Sequence, residues 1–417
     1  MPLSSLSIDA LLMHPRIQAA RAHLERSDEV TLARQVELSG LPAPTGAETR
    51  RGTRVAELFG EIGLRDVLID EVGNVHGWYG GRGMGNGEKA VVLCAHLDTV
   101  FGPDVDVAVR RQGGGGGGRL EGPGISDNAR GLVALVAVAE ALAQARVATA
   151  RPVLFAATVG EEGSGDLRGV RHLFARDGLR PAAVIALDGA GLERIVHRAL
   201  GSKRYRVTYR GPGGHSWAAF GVANPASAVG RAASLLADLP FPHPPPSPSS
   251  NVTEPRTTCA VVRLGGGTGL NSIPQEAWLD LDLRSEDAGA LARLDATVGV
   301  ALARARDEEN RRRTPGTPEL TLERQLLGDR PSGITPRAHP LVQAAVAANK
   351  ALGKPHELAC ASTDANVPIA LGVPAIALGA GGKAGDTHLT TEWFENVEGA
   401  LGLVRALLVV AAMAEVA

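Results

Sequence analysis

A chain of 417 residues, 44% apolar and 21% charged, has room for two globular domains and is too apolar to be disordered. Its formal net charge of -2 excludes bulk attraction to nucleic acid. Aromatics are only 3%, so Val, Leu and Ala must pack the core. Cys94, Cys259 and Cys360 lie far apart with no CxxC pair, which argues against a disulfide framework and for a reducing, cytoplasmic location. Met1 to Leu12 lacks the basic start and long apolar core of a signal peptide. Leu401 to Ala414 is apolar but too short to span a bilayer, so no membrane partner is expected.

In chain order, Leu6 to Leu24 and Asp28 to Leu38 read as helices. Thr45 to Leu64 reads as a third, with Thr45 and Glu48 spaced as a capping box and Gly60 near a break. Val67 to Glu71 and a segment through Trp78 are short strands, with Gly80 to Asn86 a loop. Ala90 to Ala95 is a continuous apolar run, the pattern of a parallel strand covered on both faces. It ends in His96-Leu97-Asp98, where the period of two puts His96 and Asp98 on one face. A carboxylate behind a histidine fixes its tautomer and raises its basicity as a metal ligand. A satisfied histidine at a strand end is the plainer reading.

Six glycines, Gly113 to Gly118, read as the tip of a hairpin between Val107 and Leu120. No Gly-Lys-Ser/Thr follows, so a phosphate loop is not indicated. Asp127 precedes a buried helix, Leu132 to Ala143; it is a helix cap or a buried metal bridge. Pro152 to Thr158 is a strand ending at Glu161-Glu162, two adjacent carboxylates that are costly to bury without a cation. Val184 to Leu187 ends at Asp188. All these acidic groups follow strands or sit in strand-to-helix loops, and in an open α/β sheet such ends share one edge. One histidine with several carboxylates suits a pair of divalent ions such as zinc, cobalt or manganese, with one carboxylate bridging.

As an ordered set, CAHLDTV at 94–100, GPGISDNARG at 122–131, GEEG at 160–163, LDG at 187–189, GGHS at 213–216, GGTGLNSIP at 266–274 and DTHLTTEW at 386–393 resembles the M20 family of zinc-dependent exopeptidases and deacylases. That family includes glutamate carboxypeptidase, peptidase T, succinyl-diaminopimelate desuccinylase and aminoacylase. The resemblance implies an α/β fold: a mixed-sheet, zinc-exopeptidase-like catalytic domain formed by residues 1–199 and 333–417, interrupted by a ferredoxin-like α+β lid and dimerisation domain at 200–332. It further implies that His96 and Asp188 hold one ion and Glu162 and His388 the other. Asp127 would bridge them beside a non-proline cis peptide. Asp98 would orient His96, and Glu161 would be the general base acting on a metal-bridging water. The choice of Glu161 as base and Glu162 as ligand follows the family's order; the bare sequence does not decide between neighbours.

In the middle domain, Lys203 to Arg210, Thr258 to Leu264, Glu276 to Leu283 and Glu319 to Leu326 read as strands, and Pro225 to Leu236 and Asp287 to Arg306 as helices. This β-α-β-β-α-β order is that of a ferredoxin-like module. Pro240 to Pro248 is an extended loop, and Arg311 to Arg313 a solvated turn. The resemblance implies that His215 reaches the site of a partner subunit in a homodimer to stabilise the oxyanion, with Asn271 contacting substrate. Arg284 is either a fork for a substrate carboxylate or a structural ion pair. Beyond this domain, Pro340 to Leu352 is a helix, Glu357 to Ala361 and Pro374 to Leu378 are strands, and Glu395 to Met413 is a closing helix loosened near Gly399 and Gly402. Asp364 is expected to line the substrate pocket.

The expected function is metal-dependent hydrolysis of an amide in a short peptide, by an aminopeptidase of the di- or tripeptidase type. A carboxypeptidase or N-acyl amino acid deacylase is the alternative, since the same activated water serves both. A binding protein that kept the fold and lost the chemistry would lack a ligand or the base, and none is missing. A nucleotide-binding protein would need a phosphate fingerprint in its first βα turn, which is absent.

Overall fold

The computed structural model describes residues 7–81, 89–113, 118–176, 178–240 and 255–416. The centre of the glycine run, the end of the loop before Ala90 and nearly all of the proline-rich stretch lie outside these residues. The chain divides into two units, Met1–Ala199 with Ile334–Ala417, and Leu200–Gly333. Among the described residues no helix is long and apolar enough to cross a membrane, and all three cysteines are free.

The first unit opens with helices α1 (Ile8–Met13), α2 (Pro15–Arg26), α3 (Asp28–Ser39) and α4 (Thr49–Ile62). The single helix expected at Leu6 to Leu24 is two, because Pro15 forces His14 into an extended conformation, ψ 124°. The expected capping box is absent: α4 starts at Thr49, and Glu48 caps nothing. Thr45 and Glu48 are engaged elsewhere, as described below. Gly60 lies within the helix and does not break it.

Next come β1 (Arg65–Ile69), β2 (Val75–Tyr79), β3 (Ala90–His96), the hairpin β4 (Arg110–Gln112) and β5 (Arg119–Glu121), α5 (Ala129–Gln144), β6 (Val153–Thr158), a single 3-10 turn at Gly163–Gly165, α6 (Arg168–Ala175), β7 (Pro181–Leu187) and β8 (Arg194–Ala199). The second unit is built from β9 (Gly201–Arg210), β10 (Gly214–His215), α7 (Pro225–Ala237), β11 (Thr257–Gly266), β12 (Ser272–Ile273), β13 (Glu276–Ser285), α8 (Ala288–Arg312) and β14 (Thr321–Arg330). Its main sheet runs β11-β13-β9-β14, antiparallel throughout. Leu279, Leu281 and Leu283 of β13 pack with Val298 and Leu302 of α8 in a core of their own. Arg311 and Arg312 lie on the last turn of α8, not in a loop. There their charge suits the negative end of the helix dipole.

The chain re-enters the first unit through β15 (Gly333–Ile334), α9 (Pro340–Ala351), β16 (Glu357–Ala361), α10 (Asn366–Ala370), β17 (Ala375–Leu378), β18 (Lys383–Gly385), β19 (Trp393–Glu395) and α11 (Gly399–Ala414). Among the described residues its large sheet has nine strands, with the path β1-β2-β6-β3-β7-β17-β8-β15 and β16 beside β8. Strands β6, β3, β7 and β17 are mutually parallel, whereas β2 runs against β1 and β6, and β8 runs against β17 but parallel to β16. Every residue of β3 is buried, as a strand covered on both faces requires. The helix α5 is likewise buried along nearly its whole length, and α11 packs in the same apolar cluster. Gly402 does not loosen α11: a Cβ there would stand 2.2 Å from the Gly381 nitrogen, so its absence lets the helix touch the loop after β17.

Candidate active site

The parallel strands β3, β6, β7 and β17 bring their C-terminal ends to one sheet edge. His96 ends β3, level with Thr158 at the end of β6; Leu187 ends β7, level with Leu378 at the end of β17. Glu161 and Glu162 follow β6, and Asp188 follows β7. The loop carrying Asp127 is placed by β5, and His388 lies in the turn between β18 and β19. Because β19 pairs with β5, these two loops start from one small sheet. The ligating atoms of His96, Asp127 and Asp188 lie within 4.8 Å of one another, as do those of Asp127, Glu162 and His388.

Asp127 belongs to both groups. Its Oδ1 is 3.0 Å from His96 Nε2 and its Oδ2 is 3.2 Å from His388 Nε2. His388 Nε2 also lies 3.1 Å from Glu162 Oε1. The Asp127–Asn128 peptide is cis. Asp127 is not the cap of α5. Asn128 is: its Oδ1 accepts from the N–H groups of Gly131 and Gly189, both at 3.0 Å, and its amide donates to the Leu187 carbonyl at 2.9 Å. One side chain therefore seats α5 and fixes the turn that presents Asp188. A Cβ at Gly131 would stand 2.5 Å from the Leu187 oxygen, so only glycine allows that approach.

Asp98 has a wider part than a histidine partner. His96 Nδ1 meets the Asp98 backbone carbonyl at 3.0 Å, while the carboxylate Oδ1 is 3.6 Å away. The carboxylate instead accepts from the N–H groups of Glu161 and Glu162, both at 2.9 Å, and from Thr45 Oγ1 at 2.8 Å. It thus aligns the two adjacent glutamates with His96. Glu48 accepts from the Gly160 N–H at 3.1 Å and pairs with Arg168, holding the same loop from its other side. Arg51, wholly buried, donates to the Leu97 carbonyl at 2.8 Å and braces the turn after β3.

Glu392 supports the site from outside the ligand groups, and no local pattern singles it out. Fully buried, it accepts from the N–H groups of Ser126 and Asp127 at 2.8 Å and of Gly124 at 3.2 Å. Burial first, and then the nearby Asp127 charge, push its carboxyl up to about 7 against the opposing hydrogen bonds. It ties the Asp127 loop to the His388 loop, four residues after that histidine. Glu392→Gln swaps one acceptor oxygen for a donor and leaves buried N–H groups unmet, at about 1–3 kcal/mol each. Bound divalent metal at stoichiometric supply should then fall, turnover with it, and excess metal should partly restore both. Normal metal content and turnover in this variant would rule the role out.

Residues 92–414 match the model of peptidase family M20/M25/M40. The chain belongs to that family. No curated protein matches it by sequence. Aminopeptidase PepT from Bacillus cereus ATCC 10987 shares its fold at 19% identity and TM-score 0.69, over 93% of this chain and 98% of that one. A tripeptidase from Staphylococcus aureus subsp. aureus Mu50 does so at 18% and 0.71, over 92% and 98%. An amidase of the hydantoinase/carbamoylase family from Burkholderia vietnamiensis does so at 17% and 0.64, over 95% and 97%. The family's members are metal-dependent hydrolases, and this chain is one.

The electrostatics of this family member fit a site built for cations. Burial first, and then the Asp127 charge, raise the Asp188 carboxyl to about 7. His388 is raised to about 10 by the hydrogen bonds it donates to Asp127 and then Glu162. Burial alone would lower His96, yet Asp127 and Asp98 hold it well above its usual value. Asp127 is itself lowered, its burial outweighed by His388 and His96. Both imidazoles thus take up charge to balance buried carboxylates, the balance that divalent ions on the same atoms provide. His388 holds a left-handed backbone, φ 69°, which costs a non-glycine residue about 1 kcal/mol.

Asp364 is 3% exposed, and its Oδ2 accepts from Thr158 Oγ1 at the end of β6, close enough to Asp188 to help raise that carboxyl. The remaining predicted residues belong to the second unit. His215 and Asn271 are neighbours there, joined through the Ser216 N–H and the Asn271 carbonyl at 2.8 Å, and both are exposed. Arg284 is apart from them on β13, its guanidinium on Asp282 at 2.8 and 3.0 Å; of its two readings the structural ion pair is the one present.

Proposed function

We propose that this protein is a two-metal exopeptidase for short peptides, an aminopeptidase of the di- or tripeptidase type. The observation that carries the reading is Asp127, which offers one carboxylate oxygen to each of two histidines beside Glu161 and Glu162. His96 and Asp188 hold one ion, Glu162 and His388 the other, and Asp127 both. Zinc is the first choice, with cobalt or manganese next. Divalent cations held there would supply Lewis acidity to the scissile carbonyl and to a water. Glu161, its backbone fixed on Asp98, takes a proton from that water and returns it to the leaving amine.

The second unit serves as the ferredoxin-like lid and dimerisation domain. Two features support this role. The Trp217 N–H donates to His215 Nδ1 at 3.2 Å, which leaves the neutral imidazole's proton on Nε2, a donor for the oxyanion of a partner subunit's substrate. The apolar side chains Trp217 and Phe220, soon after His215, and Leu270, next to Asn271, are exposed, as are Val262 and Leu264 on the edge strand β11, surfaces that isolated proteins seldom leave uncovered.

The alternative is a carboxypeptidase or N-acyl amino acid deacylase, favoured by the shared fold of the Burkholderia vietnamiensis amidase. A panel of free, N-blocked and C-amidated di- and tripeptides, assayed after metal removal and zinc restoration, separates the readings. The aminopeptidase refuses N-blocked peptides and accepts C-amides. Cleavage confined to N-blocked substrates overturns it in favour of the deacylase. Mixing subunits defective in Glu161 with subunits defective in His215 should restore activity in the heterodimer; failure there removes the role of His215 across the dimer.

A further inference from the structure

A cleft of about 530 Å³ opens beside two of the proposed ligands, a volume suited to a dipeptide-sized molecule. Ser126, Asp127, Asp188, Arg194, Lys383 and Trp393 are among the residues that line it. Arg194 begins β8 and Lys383 begins β18, so two separate strands deliver cations to one concavity. Both side chains are exposed, and among the described residues neither has an ion pair or a side-chain hydrogen bond. A third cation, the guanidinium of Arg119, stacks 4.0 Å from the centroid of the Trp393 ring. The acidic side chains lining the cleft are Asp127 and Asp188, and the metal reading commits both to cations.

We propose that this cleft is an anion subsite in which Arg194 and Lys383 hold a carboxylate of the substrate. The proposal rests on the hydrolase reading of the adjoining metal centre and deepens it by naming the substrate class. An arginine presents two parallel N–H donors that match a carboxylate, and a lysine adds a point charge on a swinging stem. A free ammonium group would meet two positive charges here and no uncommitted carboxylate. The substrate portion that enters the cleft is therefore anionic. It is either the α-carboxylate of a dipeptide or N-acyl amino acid, or an acidic side chain next to the scissile bond.

The test uses the zinc-loaded protein and the double variant Arg194→Gln, Lys383→Gln, neither residue being part of the catalytic machinery. One arm compares Ala-Ala with Ala-Ala amide, and reports on the α-carboxylate. The other compares Glu-Ala amide with Gln-Ala amide, and reports on an acidic side chain. In at least one arm KM for the anionic member should rise about tenfold or more, the scale of a lost charge-assisted hydrogen bond. Its kcat and the constants of the neutral member should stay within about twofold, a split that a general structural defect would not produce. Calorimetric binding of glutarate, which needs no turnover, should weaken about tenfold in the same variant. Equal changes for anionic and neutral substrates, or glutarate binding that is absent in the wild type or unchanged in the variant, overturns the subsite. Glutarate binding that depends on both cations in a protein that cleaves no amide would sink the hydrolase reading and leave the subsite standing.

Discussion

Glu161→Gln should lower kcat by about 10^3-fold, within the range expected for loss of a positioned general base, while metal content stays near that of the wild type. Glutamine is nearly isosteric, and the backbone N–H of residue 161 still donates to Asp98 Oδ1 at 2.9 Å, so the loop remains in place. What disappears is the acceptor for the water's proton and the donor for the leaving amine. Glu162→Gln provides the contrast. Glu162 Oε1 stands 3.1 Å from His388 Nε2, in the group with Asp127, so that variant should lose an ion as well as turnover. Kinetics with metal analysis on both variants separates base from ligand. A Glu161→Gln protein that loses metal, or keeps more than about a tenth of its turnover, would reverse the two roles.

The parts of this site that follow from periodicity were legible in the sequence. The apolar run of β3 reads as a strand buried on both faces, and its end, like those of β6 and β7, marks where polar side chains emerge. The supporting contacts were not legible, because they join residues far apart in the chain. Thr45 and Glu48 have the spacing of a helix cap, a local rule that tertiary demand overrides: one is bound to Asp98 and the other to Arg168 and the Gly160 N–H. Asp98 looked like a partner for His96 alone, since spacing says nothing of the backbone N–H groups at 161 and 162. Glu392 acts 265 residues away on the Asp127 N–H, through a small sheet whose strands β18 and β19 are only three residues each. Strands that short carry no periodic signal. The contact of Asp364 with Thr158, 206 residues away, is of the same kind and has no local signal.

Asp127→Ala should weaken both metal sites together, whereas His388→Ala should empty only one. Asp127 alone belongs to both ligand groups, with an oxygen 3.0 Å from His96 and another 3.2 Å from His388. Removing it strips a negative charge from between two cations in a buried setting. Breaking a buried ion pair costs about 3–5 kcal/mol, equivalent to a loss of roughly 10^2- to 10^4-fold in affinity at each position. The two ions would also repel each other without the intervening charge, so the second should bind more weakly than the first. Zinc titration followed by elemental analysis should show the wild-type protein filling to two ions per chain and Asp127→Ala approaching zero at the same supply. The His388→Ala protein should stop near one, because His96, Asp127 and Asp188 remain a complete group. An Asp127→Ala protein that retains one tightly held ion would mean that one group closes without it, and the carboxylate would then be a ligand to a single metal rather than the element on which both depend.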